Sequence, residues 1–397
     1  MRLVSPDTGS RLSWLVGVDF RRIDSEFDIL RLGRNDNTML TPSGNPRIDN
    51  SLLETESLSN AYGVFASAGY EVLRGLTLSG SLRYSSETKD FSSMRTSFDP
   101  SAPGVIGTPI DASETFEAID PSVTLTYEWL DYLVYGSYAQ AHRSGGFNQD
   151  DPSDFSTCTT GDCLTFDQEL ANSYEVGFKA SNLFARTSNF SLAAFRVNYE
   201  DILINQAVGV AESGFGIQFV DNFGKGYAQG VEAELNSRVQ NFLDTGGNLR
   251  LQFGVTYMET KLTDIPPAVQ TATIRPNDIQ INRTPRWLYN ANVTYRRALP
   301  FFENSGLGLF LNTNYKGEVG GLDDLGDRIT RDTVRRWNAQ IGIEGETRGQ
   351  AWQLVAFGDN VFDIQYERRR QQTATTYLKR YNYPATYGLR LTLRGGE

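Results

Sequence analysis

The feature that most constrains this chain is a two-residue alternation of apolar and polar side chains, sustained over long segments that end in aromatics. From Leu249 to Met258, the residues Leu249, Leu251, Phe253, Val255 and Tyr257 fall on one face, and Arg250, Gln252, Gly254, Thr256 and Met258 on the other. Leu76, Leu78, Leu82 and Tyr84 alternate in the same way with Thr77, Ser79, Ser81 and Arg83. So do Trp287, Tyr289, Ala291, Val293 and Tyr295 with Asn290, Asn292, Thr294 and Arg296. Period two means strand. A soluble sandwich alternates too, but rarely in so many long runs with charges opposite an aromatic-edged face. Apolar outside and polar inside is the pattern of a transmembrane β-barrel.

Composition narrows the class. No stretch approaches the roughly eighteen consecutive apolar residues of a membrane helix, and the mean hydropathy is −0.39, so a helical membrane protein is excluded. With 19 Tyr, 23 Phe and 37 Gly in 397 residues, the chain favours strands, tight turns and interfacial aromatic girdles. A net charge of −11 argues against a nucleic-acid partner, which needs a basic face.

The only cysteines, Cys158 and Cys163, lie in a segment rich in Thr, Gly and Asp. An exported loop disulfide fits them best; two free thiols is the plainer alternative, and a metal site lacks a second ligand pair. The start, Met1-Arg-Leu-Val-Ser-Pro, has no apolar run or small-residue cleavage site, so no signal peptide is read there. An outer-membrane barrel needs one, which leads to the expectation of a fragment or a truncated reading of a longer gene.

Short polar turns are expected near 73–76, 129–132, 184–189, 239–248, 299–306 and 347–351. Longer irregular segments are expected at about 24–55, 89–114, 143–167, 207–216, 262–283, 317–332 and 363–384. Bacterial barrels show this asymmetry, with short periplasmic turns and long external loops. The pattern yields seven hairpins, hence about fourteen antiparallel strands in one domain spanning 1–397, with both chain ends at the periplasmic rim. No linker and no sequence repeat divides it.

Several segments resemble TonB-dependent outer-membrane receptors, in the order of that family. They include Val134 to Asn148 (VYGSYAQAHRSGGFN), Glu169 to Phe184, Ser191 to Asn205, and Asn222 to Leu235 with its Gly230-Val231-Glu232. Thr284-Pro285-Arg286-Trp287, Phe357 to Tyr366, and Met1 to Phe20 complete the set. The resemblance spans nearly the whole chain and implies the C-terminal part of a receptor barrel, with the plug domain and first strands absent. It departs from the family at the end, where Tyr387 to Arg394 is followed by Gly395-Gly396-Glu397 rather than a terminal aromatic.

The resemblance implies a monomer in the bacterial outer membrane, among its lipid and lipopolysaccharide. The parent would bind a scarce nutrient such as a ferric siderophore, vitamin or oligosaccharide at external loops. Import would be energised by the TonB complex acting on the plug. No cofactor, metal or catalytic residue is assigned, because no Ser stands beside a His and a carboxylate in a recognisable elbow. Arg83, Lys179, Arg196, Glu200, Glu232, Glu234, Asn290, Asn292 and Arg296 are expected to face the lumen. The loop with His142, Arg143, Phe147 and Asn148, and the basic loop with Arg368, Arg369, Arg370, Lys379 and Arg380, supply the candidate ligand contacts: Arg143, Asn148, Arg368, Arg369 and Arg370. Aspartates at 150, 151, 154, 162, 167 and at 323, 324, 327, 332 read as solvated loops rather than a calcium site. The alternative is a self-contained fourteen-stranded porin or hydrophobic-solute channel; a soluble β-rich adhesin would need apolar residues facing inward.

Overall fold

A computed structural model describes residues 1–6, 9–31, 51–98, 103–148, 164–183, 187–210, 216–222, 224–264, 280–281, 284–299, 307–320, 332–347, 349–372 and 377–394. Strands β1 (Arg2–Val4), β2 (Leu12–Arg31), β3 (Ser51–Leu73), β4 (Leu76–Ser97), β5 (Gly104–Trp129) and β6 (Tyr132–Arg143) lead into a small hairpin, β7 (Gly146–Phe147) and β8 (Thr165–Phe166). Next come β9 (Glu169–Asn182), β10 (Ser188–Glu200), a second hairpin β11 (Leu203–Val210) and β12 (Gly216–Asn222), β13 (Lys225–Val239), β14 (Asn248–Asp264), β15 (Trp287–Ala298) and β16 (Gly308–Val319). Strands β17 (Val334–Thr347), β18 (Gln350–Asp359), a third hairpin β19 (Glu367–Gln372) and β20 (Tyr377–Tyr381), and β21 (Thr386–Arg394) complete the chain.

Fifteen of these form one antiparallel sheet in the order β1-β2-β3-β4-β5-β6-β9-β10-β13-β14-β15-β16-β17-β18-β21. Because β1 is a three-residue stub against Leu15 to Gly17, fourteen strands run at full length, the number the alternation implies. The expected short turns all fall between successive strands at one rim, and the three small hairpins belong to segments at the other.

Register fixes the two faces. Leu78, Leu82 and Tyr84 stand opposite Tyr70, Ala66 and Val64 on one side, and Leu125, Pro121 and Ile119 on the other. This face is apolar and bare: Val64 is 56% exposed, Leu82 53% and Ile119 55%. Exposed apolar side chains in register across neighbouring strands make a band suited to lipid. Stacked aromatics edge it. Near the short turns Tyr127, Trp129, Tyr132 and Phe178 follow one another at 5.5, 5.6 and 6.0 Å. Towards the other rim stand Phe20 with Tyr62, Tyr138 with Tyr174, Tyr257 with Trp287, and Tyr315 with Trp337. Amphipathic rings at two heights match the two headgroup zones.

The expected loops at 24–55 and 89–114 are corrected by the structure: β2 runs on to Arg31, β3 starts at Ser51, β4 reaches Ser97 and β5 starts at Gly104. A barrel strand needs about nine to eleven residues to cross the bilayer, and these four have 20, 23, 22 and 26. They stand well above the band as a wall. Ser51, Leu53 and Thr55 are buried on its inner face while Glu54 and Glu56 are exposed outside. Serine and threonine at covered positions hid the strand in the sequence.

Candidate functional site

Three polar cavities line the inner face. The first, about 430 Å³, lies against β2 to β6 and is bounded by Asp19, Arg21, Arg83, Glu87, His142 and Arg143, among others. Arg83 grips Asp19 through two nitrogens at 2.8 and 3.0 Å, the fork-to-carboxylate geometry that a guanidinium favours. His142 Nδ1 meets Asp120 Oδ2 at 2.7 Å. Glu87 accepts from Ser144 Oγ at 2.6 Å and Ser59 Oγ at 2.5 Å, with Arg21 Nη2 3.5 Å away. Glu87 stands above the apolar band, which ends at Tyr84. Burial works against its charge, yet the Ser144 and Ser59 hydroxyls, with Lys89 and Arg21 nearby, hold its carboxyl below the usual range.

These contacts fold the segment after β6 inward. Lys89 Nζ donates to Gly145 O at 2.5 Å, and Phe147 stacks on Phe91 at 5.2 Å. Asn148 is buried. Its Nδ2 donates to Val220 O at 2.9 Å, and its Oδ1 accepts from Val220 N at 2.8 Å. Asn222 clamps from the other side, donating to Asp167 O and Asp201 O and accepting from Asp167 N. Hairpins β7–β8 and β11–β12 are thus joined edge to edge by two asparagines. Of the loop candidates, Arg143 borders the first cavity, while the Asn148 amide is taken up by this clamp.

The second cavity, about 900 Å³, sits lower on the wall. Glu175 and Lys179 of β9 with Glu232 and Glu234 of β13 line one side of it, and Lys316 and Arg336 of β16 and β17 the other. Tyr135 donates a short hydrogen bond to Glu175, and Lys179 Nζ lies over the Tyr135 ring at 5.4 Å. Gly177 makes room, since a Cβ there would overlap that ring. The third cavity, about 520 Å³, opens under the β19–β20 hairpin and is lined by Lys316, Arg336, Asp359, Tyr366 and Arg368 with their neighbours. Asn360 and Asn382 build its floor. Asn360 is buried at positive φ (51°), and its amide bonds Ile364 and Tyr383 backbone groups, while Asn382 accepts from Tyr366 N.

Lumenal expectations hold for Arg83, Lys179, Glu232, Glu234, Asn290 and Asn292, which border these cavities. Arg296 shares that face, 3.7 Å from Glu344. Two are corrected. Arg196 and Glu200 have the parity of Leu192 and Ala194, and Arg196 is paired in register with the outward Tyr174. They stand outside, Arg196 level with the girdle residue Tyr174 and Glu200 beyond it, where a polar outward residue meets headgroups rather than hydrocarbon. Arg368 is brought to the third cavity. Arg369 and Arg370 lie on β19, but their side chains, like Cys158, Cys163 and the aspartates at 150–162 and 323–327, are outside the described residues. The sequence reading missed Asn222, Asn360 and Asn382, whose only signal is an asparagine at a strand end.

With this geometry in hand, the chain matches the family model described as TonB dependent receptor-like, beta-barrel, over residues 3–361. Among solved structures, the ferric yersiniabactin uptake receptor of Yersinia pestis is similar at TM-score 0.74 and 14% identity, covering 98% of this chain and 52% of its own. The siderophore receptor PiuA of Acinetobacter baumannii gives 0.67, 14%, 98% and 55%. The ferric-catecholate import receptor Fiu of E. coli K12 gives 0.66, 17%, 98% and 53%. The chain therefore spans about half the length of the structures it matches, and at these identities the likeness concerns the fold. No curated protein matches. The family and these structures are outer-membrane transport receptors and not enzymes. By the match over most of its length and the sheet that carries it, this chain belongs to the TonB-dependent receptor β-barrel family.

Proposed function

We propose that the chain forms the C-terminal portion of the barrel wall of an uptake receptor for a scarce, anionic nutrient of the ferric siderophore class. Ligand would be received at the outer mouth, and import driven by TonB acting on a plug held in the lumen. The observation that carries the ligand charge is the third cavity, where Lys316, Arg336 and Arg368 converge under the last hairpin. Lys316 is partly neutralised by Glu318 at 2.7 Å; the two guanidiniums are the better contacts for a multidentate anion. The polar lumen wall, with charges of both signs along it, supports a partner domain packed there.

A porin-like reading needs β21 to pair with β2 and close the sheet. Among the described residues no such pairing exists, and β21 is bonded only to β18, so the contact that reading needs is not among those described.

Titration with a trianionic ferric catecholate and an uncharged ferric hydroxamate, followed by fluorescence, tests the ligand class. The catecholate is expected to bind saturably, and Arg336→Ser with Arg368→Ser to weaken it by about tenfold, as for the loss of charge-assisted bonds. Equal binding of both chelates, or binding indifferent to the two substitutions, would sink the anionic reading.

A further inference from the structure

Register sorts the inward side chains of the lumen wall by height. One row crosses six neighbouring strands as amides: Asn189 of β10, Asn236 of β13, Gln252 of β14, Asn292 of β15, Asn314 of β16 and Asn338 of β17 are partners in turn. The next inward row towards the short turns runs Arg238, Arg250, Thr294, Asn312 and Gln340 over β13 to β17. Arg238 and Arg250 are therefore directly opposite each other, and both are exposed. Among the described residues neither guanidinium has a hydrogen bond or an ion pair.

Like charges in direct cross-strand positions repel, and the carboxylates around this pair leave it unneutralised. Glu234 stands on β13 beyond the amide row, accepting from Asn236 Nδ2 at 2.9 Å. Asp244, in the turn below, accepts from Asn241 Nδ2 at 3.2 Å. Glu344 is 3.7 Å from Arg296, whose guanidinium lies 5.0 Å over the Phe310 ring. Arg238 and Arg250 thus present two free forks at cross-strand spacing, an arrangement that a single multidentate oxyanion satisfies.

The wall above them leads to the third cavity. Lys316 and Arg336 border both that cavity and the second, Asn338 lines the third, and Gln252, Asn292 and Asn314 line the second. From Lys316 down to the level of Arg250 is four residues of strand, about 13 Å. Over that descent the inward residues of β14, β15 and β16 are amides, threonine and glycine. An anion leaving Lys316 and Arg336 meets N–H donors and no carboxylate on these strands before it reaches Arg250.

We propose that Arg238 and Arg250 form a second oxyanion site low in the lumen, a station at which the anionic cargo pauses after the outer mouth. The inference rests on the uptake reading given above. Separate stations let an ion enter and leave without being held tightly at any one of them.

The chain in mild detergent, carrying Arg336→Ser and Arg368→Ser to silence the mouth, is titrated with inorganic pyrophosphate by calorimetry. One saturable equivalent is expected, displaced by the trianionic ferric catecholate. Adding Arg238→Gln with Arg250→Gln should weaken it by about tenfold, whereas the two lysine replacements, which keep charge and lose the fork, should weaken it only severalfold. Arg238→Glu places a carboxylate opposite Arg250, and is expected to abolish binding while raising the melting temperature. Strand circular dichroism confirms folding, and the Arg238→Glu variant reports on the site if the double glutamine variant misfolds. Absence of saturable binding, or binding unchanged in the folded variants, overturns the proposal. So does failure of the catecholate to displace pyrophosphate, which takes the site off the import path. The mouth is read separately: catecholate binding indifferent to Arg336→Ser and Arg368→Ser removes the uptake reading, whereas a mouth that responds while pyrophosphate ignores Arg238 and Arg250 removes only the lower site.

Discussion

A single side chain can do the work of a strand edge. Asn148 offers one donor and one acceptor to Val220 with the spacing of a ladder pair, so its side chain joins β12 while its backbone N–H still bonds Leu164 O. Asn148→Ala leaves both Val220 groups without that partner, and is expected to cost the joined hairpins roughly 2–4 kcal/mol. Hydrogen exchange should rise at Val220 while the melting of the sheet stays in place. Glu87 makes a second prediction. Its carboxyl titrates below the ordinary value, so its contribution is fully present above the unfolded pKa and is lost as pH falls through the folded one. Exchange at Ser144 to Phe147, corrected for intrinsic rate, should stay flat above the usual carboxylate range and accelerate below it. Neither role was legible in the sequence. An asparagine in a Gly-rich loop and a glutamate on a polar strand have many uses, and the partner residues lie 72 and 57 positions away in the chain.

At the scale of the strand, parity is the governing quantity. Leu192 and Ser191 are adjacent on β10 but face lipid and lumen respectively. Leu192→Arg is expected to cost about 2–4 kcal/mol of membrane folding stability and Ser191→Arg close to nothing, read by unfolding from vesicles in urea. Equal costs would mean that the face assignment is wrong. Gly230 illustrates spacing rather than parity. A Cβ there would sit 2.1 Å from Tyr257 O and 3.0 Å from the Phe195 ring. The backbone oxygen cannot yield without opening the β13–β14 ladder, so Gly230→Ala should lower stability by roughly 1–3 kcal/mol. Periodicity alone located the strands and the short turns, because inside the band each face meets one solvent. Above the band both faces are wet or covered by loops, alternation fades, and the upper parts of β2 to β5 carry no strand signature. Arg196 and Glu200 look lumenal in the sequence for the same reason: outward residues at and beyond the girdle are polar too.

For the whole molecule the sheet has two free margins among the described residues, β21 at one end and most of β2 at the other. Tyr387, Leu389, Leu391 and Leu393 on β21 are 66%, 77%, 61% and 67% exposed. Unpaired strand edges recruit partners. In the isolated chain, the β21 amides that point away from β18 should exchange fast and their neighbours slowly; uniform protection would show that another strand already covers the edge. What the residue order determined by itself was local and repetitive: strand, outward and inward faces, girdles, the short-turn rim and the number of full-length strands. These follow from each side chain's own transfer between water, lipid and lumen. Only the tertiary structure decided which loops fold inward and clamp each other, which charges converge in a cavity, and how far the strands rise above the band. Those outcomes depend on pairings between distant residues, and no local periodicity encodes them.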